Sequence, residues 1–476
     1  MIVVIIDDGV NTQTTNNLIF SLQVDEQGMI NSFTGYIDAL SHGSICAAII
    51  QKYAPHALIG SIKILDSETK RGDCTNLERA IYWCIDHDIK IIHLSLGTVS
   101  VYDYPSLLKA INNAYEHGII IISACKNGSP TSYPAAFSNV IGVQCDSTLK
   151  NDAYYAREPN YHGIDFSASA VHEIKELIST PFERLTPICN SYAAPVITAK
   201  VYSILAEHPY MTFDQIKKEL NKTSKLVIPS YHPMIYKHID WVDHVKLLVF
   251  GDPPVSPTSM HYWNINEIIS LESDLALKDI LLSSLEDLPL AISISNFLDI
   301  KKFTPIKTCP LVFLNRVNVQ DWKQYATRIF IPTLIDDYAT NQRIHNERPV
   351  VAILQDTMLS DFPLSAVLQE MFNQKDHYAL FFSEYPIDIL VGAVYIDNTE
   401  FYQYHCMNMA KLLNAELLLV HTTLENLHIL KPDIILYDKT CKNGLLKIPK
   451  DNTHIIFTDH RDPTEIFQII CDIICE

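Results

Sequence analysis

Short runs of apolar residues punctuate the first half of the chain. Between them lie segments whose apolar positions recur every three or four residues. Residues 3–6, 57–65, 89–95, 119–125 and 140–144 read as strands. Residues 44–52, 77–88, 104–117, 191–207 and 212–222 read as helices. Strands that are apolar on both faces and alternate with helices imply a parallel sheet covered by helices on either side.

The rhythm lapses between residues 224 and 245, where prolines and histidines gather, and a second alternating block follows. Its expected strands are 246–250, 350–354, 387–395, 417–421, 434–437 and 454–457. Its expected helices are 276–284, 364–373, 399–413 and 462–474. We therefore expect two domains, 1–240 and 241–476, the second being Rossmann-like α/β and serving substrate recognition or interaction. That block holds no GxxxxGK[ST] loop and no GxGxxG turn, so nothing supports nucleotide binding.

Composition adds exclusions. With 476 residues, the chain is too long for one ordinary core. Its 48% hydrophobic and 19% charged residues describe a folded protein. A net charge of −19 repels phosphates and argues against nucleic acid as partner. No apolar run reaches membrane-spanning length. Met1 leads straight into Ile2–Ile6 with no basic segment or cleavage site, so no secretory signal is expected. The 11 cysteines are scattered without a CxxC pair, which fits reduced thiols and a cytoplasmic location. No metal or cofactor is expected.

Three segments carry candidate chemistry: "VVIIDDGV" from Val3, "SHGSICAAII" from Ser41 and "CNSYAAP" from Cys189. Each sits at a junction between elements, where open α/β sheets build their sites. A serine hydroxyl needs a base to take its proton. A histidine supplies one near neutral pH, and a carboxylate holds the imidazole in the required tautomer. Each segment alone is equally consistent with a turn or a helix start.

Taken in order, these segments resemble a subtilisin-type serine protease domain from Val3 to about Ser224. They match that family's Asp-x-Gly, Ser-His-Gly-Thr-His and Gly-Thr-Ser-Met-Ala-Ala-Pro motifs. "YAPHALIGSIKILD", "IIHLSLG", "HGIIIISACKNG" and "SYPAAFSNVIGVQCD" follow in the family's order. The resemblance implies Ser191 as nucleophile, His42 as general base and Asp7 as the partner of His42. It implies that Ser95, Leu96 and Gly97 pair with an extended peptide substrate. Ser167 and Ala168, within "DFSASA", would form a pocket wall. Asp8 stands where the kexin branch also has a second acid, so it either borders a substrate subsite or solvates a turn.

The chain departs from the pattern at the oxyanion asparagine. An ungapped alignment puts Lys126 there, with Asn127 one step on, and both stay open as donors. Cys189, Asn190 and Tyr192 replace the residues around the serine. Cys125 and Cys189 read as packing residues. Secreted members of the family carry a propeptide and a calcium-binding N-terminal segment; with six residues before Asp7 and a shortened loop after the His42 helix, neither is expected here. It points to a selective cytosolic processing enzyme, such as one that removes a leader from a precursor peptide. The alternative is a pseudoprotease that binds peptides without turnover. In the second block, His460 within "TDHRD", His405 and Cys406 read as loop or packing residues.

Overall fold

The computed structural model describes residues 1–13, 15–100, 103–128, 132–157, 163–174, 185–226, 235–236, 238–242, 244–250, 264–271, 290–293, 309–313, 326–330, 348–354, 358–359, 362–375, 377–385, 388–389, 392–396, 406–407, 409–411, 415–437, 453–458 and 462–475. The chain divides into two compact units, Met1–Trp241 and Val242–Glu476.

Nine strands form the sheet of the first unit: β1 (Ile2–Asp7), β2 (Leu18–Val24), β3 (Ile30–Ser32), β4 (Leu58–Lys63), β5 (Ile91–Leu94), β6 (Ile120–Ala124), β7 (Ile141–Cys145), β8 (Tyr154–Ala156) and β9 (Ile164–Ala168). Their order is β3-β2-β4-β1-β5-β6-β7-β9-β8. Pairing is parallel throughout except at the two edges, where β3 and β8 run antiparallel to their neighbours. The helices are α1 (His42–Tyr53), α2 (Cys74–Asp86), α3 (Tyr104–Glu116), α4 (Asn190–Glu207) and α5 (Phe213–Lys222).

The apolar run of β1 explains its central place. Val3 and Ile5 join the core beneath α1, α4 and α5, whereas Val4 and Ile6 join the one beneath α2 and α3. All four are fully buried. Alternate residues of a strand point to opposite faces, so only a strand apolar at every position can serve two helical layers. Each such side chain contributes roughly 1.5–3 kcal/mol by burial.

The expected interior elements are present, with ends shifted by a few residues. The sequence reading lacked β3 and β8, which form the two edges, and β2 and β9, which lie next to them. Strand β2 is mostly half-buried and mixes polar with apolar residues, so its alternation is weak. Strand β9 carries Asp165, a half-buried acid whose carboxylate pairs with Lys217 2.6 Å away. Its apolar run is broken there.

The second unit holds two parallel sheets. In one, five strands run in the order 264–271, 244–250, 290–293, 309–313, 326–330. In the other, six run in the order 394–395, 379–383, 417–421, 350–353, 434–437, 454–457. The strand Ala379–Ser383 is buried at every position, and the sequence reading missed it. Within the expected strand 387–395, Val394–Tyr395 is the strand found among the described residues. The expected helix 276–284 lies outside the described residues, as does part of 399–413. Among the described residues, no helix is long and apolar enough to cross a membrane.

Candidate active site

Asp7 is the last residue of β1 and sits at the C-terminal edge of the sheet. Ser95 to Gly97 leave β5 at the same edge, and the segment 125–127 leaves β6. His42 opens α1 and Ser191 is the second residue of α4. These elements border a cleft of about 640 Å³ lined by Asp7, His42, Ser191, Ser95, Leu96 and Gly97, among others.

The Asp7 carboxylate is 1% exposed and faces His42 Nδ1 with both oxygens, at 2.8 and 3.0 Å. Nδ1–H therefore donates to Asp7, and Nε2 is left as the basic nitrogen. Burial, the largest influence, pulls His42 down. The Asp7 hydrogen bond and the charges of Asp7 and Asp8 outweigh it, so the imidazole titrates above its ordinary value. The Tyr192 ring packs against His42 with centroids 5.5 Å apart, closing one side of the imidazole.

Asp8 is not on the cleft surface. Its side chain is fully buried, and its oxygens accept from the backbone amides of His42 (3.1 Å) and Gly43 (2.8 Å). The Lys70 ammonium pairs with it. Burial raises the Asp8 carboxyl, but Lys70 and the two amides prevail and hold it below its ordinary value. An acid at a helix N-terminus is favourable. Asp8 thus seats α1, and with it His42, and the expectation of a substrate contact is corrected. Gly43 permits the close approach: a Cβ there would meet the Gly9 carbonyl at 2.6 Å, and Gly9 itself has φ of +103°.

Ser191 Oγ donates to the Ser95 carbonyl at 3.3 Å, and among the described residues no hydrogen bond joins it to His42. The Ser95 hydroxyl donates to the Ser191 carbonyl at 2.8 Å. Ser95 therefore holds the serine from both ends.

The two oxyanion candidates differ in their surroundings. Lys126 has an exposed side chain, and its amide donates to Ser132 Oγ. Asn127 Oδ1 accepts the backbone N–H of Asn190 at 3.0 Å. Helix α4 has no side-chain cap from Cys189, so Asn127 performs that task from a separate segment. With Oδ1 committed, the Asn127 amide nitrogen is the end that remains to donate.

Asn190, which the sequence marks as a replacement beside the serine without giving it a role, is a site residue. Its Nδ2 donates to the carbonyls of Cys125 (3.0 Å) and Lys126 (3.2 Å), and its Oδ1 accepts from the Cys145 amide (2.8 Å). One side chain ties the ends of β6 and β7 to the start of α4. The polar residue before the serine was the available signal.

Ser167 and Ala168 do not line the cleft. Both are fully buried in β9, flanked by β7 and β8, and Ser167 Oγ accepts from Gln144 and Arg157. The expected pocket wall is corrected accordingly. Burial pushes the Cys189 thiol up and the Cys125 thiol up to about 12, so both keep their protons. Asp7, His42 and Cys46 offer ligand atoms within 4.8 Å of one another. Burial raises the Cys46 thiol well above its ordinary value, which disfavours the thiolate a metal would require. Cys406 is buried, whereas His405 and His460 lie outside the described residues.

A sheet-edge aspartate paired with a histidine, beside a serine on a helix N-terminus, is the arrangement of a triad hydrolase. The sequence profile of the Subtilase family matches residues 1–244, and the chain belongs to that family. It is 29% identical over 201 residues to the minor extracellular protease Epr of Bacillus subtilis (strain 168), covering 40% of this chain and 30% of that protein. It is 28% identical over 152 residues to the major intracellular serine protease of the same organism, covering 30% and 46%. The chain thus spans less than half of these relatives' lengths, 30% of the first and 46% of the second. A crystal structure of a lanthipeptide protease aligns with a TM-score of 0.36 and 18% identity, covering 48% of this chain and 81% of that one.

Proposed function

We propose that this protein is a serine endopeptidase. Ser191 attacks the peptide carbonyl, His42 Nε2 takes its proton and returns it to the leaving amine, and Asp7 holds the imidazole. The developing oxyanion is met by the Asn127 side-chain amide and the backbone N–H of Ser191, at the positive end of α4. An extended peptide lies along Ser95–Gly97. The two-oxygen contact of Asp7 with His42 Nδ1, at 2.8 and 3.0 Å on the cleft that Ser191 shares, carries this reading. For catalysis the serine hydroxyl turns from the Ser95 carbonyl to Nε2.

The finer reading is a selective processing protease of the cytoplasm, such as one that removes a leader from a precursor peptide. A rim bearing Lys70, Arg71, Asp73 and Asp103 supports selection among peptides over indiscriminate digestion. The intracellular relative supports the cytoplasmic setting. The test is hydrolysis of a diverse peptide library followed by mass spectrometry, with Ser191→Ala and His42→Ala as controls. A small set of related cuts, lost in both variants, is expected. Capture of peptides without any cut would favour the second reading, a peptide-binding pseudoprotease, for which the Ser191–Ser95 contact speaks.

A further inference from the structure

Beneath the cleft, in β5, lies a titratable side chain that the triad does not use. His93 is fully buried. Its Nδ1 is 2.8 Å from Thr198 Oγ1, and its Nε2 is 2.9 Å from Ser95 Oγ. The Ser95 hydroxyl donates onward to the Ser191 carbonyl at 2.8 Å. The line of contacts ends on the backbone of the nucleophile.

The sequence explains why that carbonyl needs a donor. In an α-helix the carbonyl of residue i accepts from the amide of residue i+4. For Ser191 that residue is Pro195, inside α4, and proline has no N–H. Two side chains face the orphaned oxygen: the Ser95 hydroxyl at 2.8 Å and the Cys46 thiol at 3.7 Å. A thiol is a weak donor, so the single Ser95 proton goes to Ser191. Toward His93, the Ser95 oxygen is then an acceptor. That fixes the tautomer: Nε2 carries the proton and Nδ1 accepts from Thr198. Thr198 Oγ1 also lies 3.1 Å from the Ala194 carbonyl. That carbonyl has the helical amide of Thr198 as donor, so the shorter contact to Nδ1 takes the hydroxyl proton. Burial first, and the charge of His42 second, push His93 down to about 3, and the ring stays neutral.

We propose that His93 is a positioning residue: its Nε2–H aims the Ser95 hydroxyl at the Ser191 carbonyl that Pro195 leaves without a helical donor. The proposal rests on the reading of Ser191 as nucleophile. Thr198, His93 and Ser95 form a one-way line of donors that anchors the first turn of α4. Loss of His93 releases Ser95 to donate elsewhere and loosens the serine without touching its hydroxyl.

Two measurements test this. The first is nitrogen NMR of the full chain with labelled histidine, the His93 signal being assigned by its loss in His93→Gln. The expected ring is protonated at Nε2 alone, and unchanged from about pH 8 to about pH 5. A proton on Nδ1, or double protonation in that range, would overturn the proposal. The second is the rate at which a fluorophosphonate labels Ser191. His93→Leu should label about three- to ten-fold more slowly than wild type, the size of one lost hydrogen bond. His93→Gln, which keeps an N–H donor, should recover most of that loss, and adding Ser95→Ala to His93→Leu should cost nothing more. Full-rate labelling of His93→Leu, or equal loss in both variants, would overturn the proposal. A wild type that does not label would count against the nucleophile reading, and the imidazole spectrum then decides the His93 arrangement independently.

Discussion

In the first unit, Asp7 comes from a strand end, and His42 and Ser191 from the first turns of two helices. In the second unit, Ser383 and His421 end two adjacent parallel strands, and Asp388 lies between them in the chain. The same three residue types thus meet at the rim of a parallel sheet twice. Their wiring differs. Asp388 Oδ2 takes both the Ser383 hydroxyl, at 2.5 Å, and His421 Nδ1, at 2.6 Å. The carboxylate therefore stands between hydroxyl and imidazole. Ser383 is fully buried, and the Tyr385 ring stacks on His421 with centroids 4.2 Å apart. In the first unit the carboxylate lies behind the imidazole, and the hydroxyl is on the open side of the cleft. Residue type does not make a nucleophile. What matters is which partner holds the proton and whether a substrate can reach the oxygen.

Substitutions break or sharpen that contrast. Ser191→Ala should lower kcat by about 10⁶-fold, the scale known for triad serines, in steady-state peptide hydrolysis. Ser383→Ala should leave kcat within about two-fold and lower the unfolding free energy, read from urea denaturation, by about 1–3 kcal/mol, since it removes the hydrogen bond donated to Asp388 and the one accepted from the Tyr385 amide. Loss of activity in Ser383→Ala would erase the distinction.

Asp7→Asn should cost about 10⁴-fold in kcat by releasing the imidazole into the wrong tautomer. It also carries a pH signature. His42 acts as a base only when neutral, and Asp7 raises its titration above the ordinary value. Activity of the native protein should therefore fall, on acidification, at a pH above that of an ordinary histidine. Without the Asp7 charge, burial prevails, so the acid limb of the variant should move to lower pH in a kcat/KM profile.

Asn127→Ala should lower kcat by about 10²–10³-fold with KM little changed, whereas Lys126→Ala should cost no more than about two-fold. The reverse ranking would return the oxyanion donor to Lys126. Asn190→Ala should lower kcat by about ten-fold, because it unties the segment that carries Asn127. Partial recovery in Asn190→Gln would separate positioning from packing.

The candidate triad was legible in the sequence because each member sits at a junction between elements. "VVIIDDG" ends a strand buried on both faces, and "SHG" and "CNS" each open a helix. The role of Asp8 was not legible. Its amide partners, His42 and Gly43, and its cation, Lys70, are remote in the chain, and only the fold shows that its carboxylate is already taken. Ser167 and Ala168 were misplaced for the same reason: burial in β9 depends on β8, a three-residue edge strand with no clear pattern of its own. Asn190 and His93 act through backbone carbonyls and hydroxyls of other segments, and such contacts leave no periodic trace. Strand Ala379–Ser383 was missed because five residues are too few to distinguish a buried strand from a fragment of helix.

The central claim is that His42 activates Ser191 for attack. Fluorophosphonate labelling of the intact protein, followed by mass spectrometry, tests it most directly. A single adduct on Ser191 that vanishes in Ser191→Ala and slows by several orders of magnitude in His42→Ala is predicted. Labelling at the same rate with and without the His42 imidazole, or no adduct at all on the native chain, would contradict it.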